Sequence, residues 1–310
     1  MHLETANSYP QSRQSDFDWS HSHRGFTLTE LMVVIAVIGV LAAALIPILN
    51  SAFRRAQSTT ELQAARQLMQ GYNGLSEDNK GRLMVGYLSD DPDEDDYLGD
   101  EIVVGPDGEP IQGIELQRWT WRLLPYLGNS TDALFVGQGR DYLERINGSG
   151  DYTYIASVYP SFGLNGEWVG GMKGGTYADL HTLGTYTGET YYAQRRSEIK
   201  QPSKQLIFAS AAGPLENDST IIEGYFYIRS PWYLTSGWRW DTDDEGRPQA
   251  SYEQGDPAAS GFISARHEGK AVTAMLDGHT KLEALPDLTD MRRWCTEATS
   301  NNWVIDPQLP

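Results

Sequence analysis

Apolar residues are distributed along this chain in two distinct ways. From Phe26 to Leu49 they run almost unbroken, and those 24 residues hold one ionisable group, Glu30. At about 1.5 Å per residue, a helix over this run is roughly 36 Å long, enough to cross a bilayer. Past Leu49 the run gives way to a helical period. Phe53, Ala56, Ala64, Ala65, Leu68, Met69 and Tyr72 recur at spacings near three and four, which marks an amphipathic helix. The two stretches predict one helix over residues 26–74. Pro47 removes a backbone donor and is expected to kink or loosen it, and Gly71 and Gly74 are expected to end it.

Beyond residue 75 the pattern shortens to aromatic and β-branched runs broken by Gly and Pro, the signature of short strands in a loop-rich frame. Strand-like runs occupy "GDYTYIASVYPSFGLNGEWVGG" and "EGYFYIRSPWYL", and a strand over Gln205–Ala209 follows a turn at Pro202–Ser203. Ala271–Leu276 and His279–Leu285 flank Asp277-Gly278, a dipeptide suited to a type I′ hairpin turn. Trp119, Trp121, Trp238 and Trp240 alternate with polar residues, as on strands, and are expected to pack the core; exposed members would suggest subunit contacts or glycan binding. The expected fold is α+β: a long, partly transmembrane N-terminal helix packed on a mainly antiparallel β head. Residues 1–25 form a polar leader, 26–74 the helix, and 75–310 the head with its C-terminal hairpin.

Charge sharpens this division. The chain carries a net −18, which argues against nucleic acid as a partner. Residues 1–25 contribute −1 and residues 26–74 contribute +1, so the head carries the whole excess of acid. The run Asp90–Asp96, six acids in seven residues, reads as a solvated loop. Asp241, Asp243 and Glu245 before Gly246 resemble part of a calcium loop, but Tyr252 stands where the bidentate acid belongs; calcium is the one cofactor these residues suggest. A single cysteine, Cys295, excludes an intrachain disulfide. No Gly-x-Ser-x-Gly, His-Glu-x-x-His, P-loop or dinucleotide fingerprint occurs, so no enzymatic activity is expected.

Three readings compete for the apolar run. A secretory signal would use Ala42–Ala44 as its cleavage site, but 25 polar residues precede the run and are not basic. An ordinary anchor explains the length and leaves Glu30 without a purpose. The third reading accounts for both. "RGFTLTELMVVIAVIGVLAAALIP" resembles the prepilin N-terminal motif of type IV pilins and type II secretion pseudopilins. That resemblance implies cleavage between Gly25 and Phe26 by a membrane aspartic peptidase, N-methylation of Phe26, and assembly roles for Glu30 and Pro47. Glu30 becomes the fifth residue of the mature chain, placed to pair with the new amine of an adjacent subunit. It also implies other pilin or pseudopilin subunits and an inner-membrane assembly platform as partners. The protein would be a single-pass inner-membrane protein with its N-terminus cytoplasmic and its head periplasmic or extracellular. Arg24 on one side and Arg54 and Arg55 on the other give this topology no support from charge.

The head extends the resemblance. "RWTWRLLPYL", "YPSFGLNGEW", "PSKQLIFAS" and "ARHEGKAVTAMLDGHTKL" look like segments of large proteins similar to the major pseudopilin of general secretion. These end in a His, nine residues, then Asp-Gly, matched here by His267 and Asp277-Gly278. His267 and Asp277 could form a functional pair or ligand set; the simpler expectation is that each orients a turn. The competing functional reading is a membrane-anchored carbohydrate-binding or hydrolytic module that borrows a pilin-type sorting signal. A cluster of exposed aromatics with a carboxylate pair would favour it, and a buried aromatic set would favour the filament subunit.

Overall fold

A 51-residue helix, α1 (Leu28–Asp78), opens the described chain. The computed structural model describes residues 26–89, 102–106, 108–177, 179–215, 220–234, 237–238, 240–245, 247–248 and 256–306. The leader with Gly25, and the acidic run Asp90–Asp96, lie outside the described residues. The chain divides into two compact units, Met1–Ser51 and Ala52–Pro310.

In the first unit α1 runs through Pro47 without a break in its helical assignment. Every residue from 26 to 50 is exposed. Phe26, Leu31, Val33, Ile38 and Leu41 each expose more than half of their surface, a contiguous apolar face that water does not tolerate. Length and hydropathy make this helix long and apolar enough to cross a membrane.

In the second unit the remainder of α1 buries one stripe: Glu61, Ala64, Ala65, Leu68, Met69, Gly71, Tyr72, Leu75 and Ser76. The helix continues past both glycines expected to end it. A Cβ on Gly71 would stand 2.9 Å from Leu127 Cδ2, and one on Gly74 would stand 3.4 Å from Tyr126 Cδ1. The glycines therefore permit close approach of the 124–127 segment to the helix. The stop comes later, in a Schellman arrangement. Lys80 takes a left-handed φ of 57° and donates to Glu77 O at 3.0 Å, while Gly81 N donates to Ser76 O at 2.7 Å.

Four short helices follow before the sheet: α2 (Ile114–Gln117), α3 (Trp119–Arg122), α4 (Gly137–Ile146) and α5 (Tyr152–Val158). Strand β1 (Phe162–Leu164) comes next, then α6 (Asp179–Thr187), β2 (Leu206–Ser210), β3 (Gly213–Pro214), β4 (Ile221–Ile222), β5 (Trp232–Leu234), β6 (Gly237–Trp238), β7 (Lys270–Met275) and β8 (Thr280–Ala284). The main sheet is antiparallel throughout, in the order β1-β2-β7-β8. β2 is buried along its whole length, which explains its uninterrupted "LIFAS". Tyr72 of α1 meets Phe208 of β2 edge-on at 5.7 Å, and Trp119 packs on the same ring at 5.0 Å. The architecture is α+β, as expected.

Three local expectations need correction. "YTYIASV" forms α5 instead of a strand. Its carbonyls are taken by neighbours: Thr120 Oγ1 donates to Ser157 O at 2.9 Å and Trp121 Nε1 to Thr153 O at 3.0 Å, so tertiary bonds override aromatic and β-branched propensity. Trp119 and Trp121 sit on the single turn α3, fully buried, not on a strand. "GYFYIRS" is extended beside β1 but bridges it only at Leu164–Tyr227, with Leu164 N donating to Phe226 O at 3.1 Å.

Candidate functional site

The first site is the start of α1. Thr27 and Glu30 close a reciprocal capping box. Thr27 N–H donates to Glu30 Oε2 at 2.8 Å, Thr27 Oγ1 donates to the same oxygen at 2.7 Å, and Glu30 N–H donates to Thr27 Oγ1 at 3.2 Å. Two backbone donors that a helix start leaves unpaired are thereby satisfied. Phe26 and Thr27 precede the helix, so the Gly25–Phe26 bond lies outside it. The sequence signal for the box, Thr-x-x-Glu, is visible in "TLTE", yet reading Glu30 only as an intersubunit partner passed over it.

The second site lies in the second unit, where α1 meets the head, and is built around an acid that the composition counted merely as charge. Glu61 occupies the apolar stripe of α1, three, four and seven residues before Ala64, Ala65 and Leu68, and its side chain is only 5% exposed. Arg266 engages both carboxylate oxygens, Nη2 to Oε1 at 2.8 Å and Nε to Oε2 at 3.1 Å. His267 Nε2 donates to Oε2 at 2.7 Å, and the Ser210 hydroxyl at the end of β2 donates to Oε1. Burial alone would raise the Glu61 carboxyl. Arg266, the His267 hydrogen bond and charge, and the Ser210 hydroxyl outweigh burial and hold it at about 2 against an ordinary 4.5.

A tight turn presents Arg266 and His267. His267 and Lys270 exchange backbone bonds at 3.1 Å in both directions across Glu268 and Gly269, whose φ values are 55° and 78°. Two central residues at positive φ are what a type I′ turn demands. The expected type I′ turn at Asp277-Gly278 is not one, because only Gly278 takes positive φ, at 92°. There the β7–β8 connection is a three-residue loop, with Gly278 N donating to Met275 O at 2.8 Å and Met275 N to His279 O at 3.0 Å.

His267 and Asp277 are thus not a pair. They stand at opposite ends of β7, and the nine residues between them are the turn Glu268-Gly269, that strand and Leu276. Asp277 instead accepts from His279 N–H at 3.1 Å and from its Nδ1 at 2.6 Å. Partial burial would raise the Asp277 carboxyl, but the His279 bonds prevail and hold it below its ordinary 3.8. Ser210, His267 and Glu61 do not form a nucleophilic relay either. Ser210 and His267 both bond the acid rather than each other, and Ser210 is fully buried, its oxygen also accepting Val272 N–H at 2.9 Å.

Two of the three acids read as part of a calcium loop meet a cation of the chain's own. Arg247 Nε bonds Asp243 Oδ2 at 2.8 Å, and its Nη2 bonds Glu245. Asp241 stands exposed beside them. Among the described residues no group of three His, Cys, Asp or Glu is placed to hold a metal ion. Cys295 is buried, and burial pushes its thiol up to about 12, which removes it as a nucleophile near neutral pH.

No solved structure matches the chain. The family model described as the prokaryotic N-terminal methylation motif matches residues 20–46, which span the Gly25–Phe26 bond, the capping box and most of the exposed apolar helix. The chain therefore carries the prepilin-type methylation motif at the head of a long apolar helix, an arrangement consistent with a pilin- or pseudopilin-like protein.

Proposed function

We propose that this protein is a structural subunit of a type II secretion pseudopilus or a type IV pilus-like filament. Prepilin peptidase cleaves the precursor after Gly25, Phe26 is N-methylated, and the exposed apolar part of α1 carries the chain from the inner membrane into the filament. The head then faces the periplasm or the exterior. The observation that carries this reading is the methylation motif running straight into an exposed 24-residue apolar run that opens α1. A helix of this kind satisfies its backbone internally and suits either lipid or a sheath of like helices. The burial of Trp119, Trp121, Trp168, Trp240 and Trp294 supports a structural head over a glycan-binding one. The chain is the substrate of the processing chemistry rather than its agent. In the mature chain Glu30 pairs with the Phe26 amine of an adjacent subunit, which offsets the cost of placing either charge in an apolar core.

Mass spectrometry of the mature N-terminus tests this. The expected species begins at N-methyl-Phe26. A retained leader, or a chain beginning after Ala44, refutes the proposal.

A further inference from the structure

A net charge of −18 makes identical copies repel when they approach side by side. The second half of α1 is the exception. Arg54, Arg55 and Arg66 are exposed there, and Glu61, the only acid between Ala52 and Gly74, is buried and paired. Arg54 engages Glu268 at 3.3 Å. Arg55 and Arg66 have no ion pair among the described residues. They stand eleven positions apart, about three turns, so they share one face roughly 16 Å apart.

A groove flanks the same helix on another face. Gln63 and Gln67 line one wall, and Asp132, Arg140 and Asp141 line the other, of a cavity of about 390 Å³. Gln67 and Asp132 also line a second cavity of about 430 Å³ beside Gln70, so the groove continues along the helix. Arg140 is committed to Asp132 at 2.6 Å. Asp141 and Glu144, one turn apart on the exposed side of α4, have no ion pair among the described residues. The glutamine amides donate and accept without adding charge.

We propose that this groove docks α1 of a second copy, whose Arg66 seats against the Asp141–Glu144 pair while Arg55, about three turns away, adds its charge to the same cationic face. Cations and acids lie on different faces of one chain, so the contact is head-to-tail and leaves the cationic face of one copy and the groove of the other free. Such a contact propagates rather than closing into a dimer. The inference rests on the filament reading and adds to it a specific lateral contact between heads.

Charge reversal in the full chain, expressed with its processing peptidase, tests this. Four proteins are compared: wild type, R55E with R66E, D141R with E144R, and the quadruple variant. The readouts are chain recovered in a sheared filament fraction and intermolecular disulfide formation between Thr59→Cys and Gln138→Cys, exposed positions that carry no reversal, introduced into each; Cys295 is buried and silent. Each double reversal is expected to lower both readouts about tenfold or more, and the quadruple variant to restore them to within a few-fold of wild type. Unchanged readouts in the double reversals, or a quadruple variant no better than they are, overturn the docking while wild-type filaments leave the filament reading intact. Wild-type chain that is methylated but never enters the sheared fraction overturns the filament reading and the docking with it.

Discussion

Glu61, on α1, joins three elements through one side chain. A carboxylate 5% exposed survives only because Arg266, His267 and Ser210 satisfy it, and together they tie the helix to β2 and to the turn before β7. Glu61→Gln leaves Arg266, 11% exposed, against a neutral amide, with Glu223 at 3.9 Å as its nearest remaining acid. The variant is expected to lose about 3–5 kcal/mol of stability, measured by urea unfolding of the detergent-solubilised chain. The wild-type pH dependence follows from the same group. Its folded carboxyl titrates near 2 and its unfolded one near 4.5, so the folded state binds fewer protons in that range. The stabilisation is complete above pH 4.5 and disappears as the pH falls through about 2, a change on the order of 3 kcal/mol. Glu61→Gln should flatten that part of the acid limb, and an unchanged slope would show that other acids set it. The residue was legible in principle, because a charge on an apolar stripe three residues before Ala64 demands a partner. Which partners it meets was not, since Ser210 and Arg266 lie 149 and 205 positions away and only the assembled sheet brings them in.

At the scale of elements, periodicity identified α1 and the hairpin, and it failed where tertiary bonds outweigh propensity. α1 outran its expected end because glycine inside a helix has two uses. At Gly71 and Gly74 the missing Cβ makes room for Leu127 and Tyr126; at Gly81 the glycine closes a Schellman stop. The two inner glycines should respond differently to alanine. Replacing glycine in a helix interior ordinarily gains about 0.5–1 kcal/mol. Gly74→Ala meets only an ordinary 3.4 Å contact with Tyr126 and is expected to realise most of that gain. Gly71→Ala places a methyl 2.9 Å from Leu127 Cδ2 and 3.4 Å from Tyr126 O, so displacement of Leu127 should cancel it. Parallel thermal melts of the two variants check this, and equal shifts would mean that the 124–127 segment yields without cost. The strand expected at "YTYIASV" fails for a related reason. Its seven residues suit a pleated surface, but α3 supplies donors that hold their carbonyls in a helix.

For the whole molecule, the sequence already divided an apolar helix from an acidic head, because hydropathy falls near residue 50 and the excess of acid lies wholly beyond residue 75. The same sequence carries two signals at Glu30, the capping box and the proposed pairing. In the described chain its Oε2 closes the capping box with Thr27, and in the proposed filament the same side chain supplies a negative charge to a neighbour's amine. The two roles have different chemical requirements. Capping needs an oxygen acceptor three residues beyond the threonine, and glutamine provides that as well as glutamate. Pairing with a cationic amine in an apolar core needs the full charge, because an amide leaves the amine desolvated and uncompensated. Glu30→Gln therefore separates them where Glu30→Ala cannot. Cleaved chain carrying Glu30→Gln is expected to keep the amide-exchange protection of the first helical turn in micelles, yet to fall about tenfold or more in recovery from sheared filaments. Glu30→Ala should lose both. If Glu30→Gln entered filaments as well as wild type, the carboxylate would be a helix cap and nothing more, and the register between subunits would have to come from the apolar surfaces and the contact between heads.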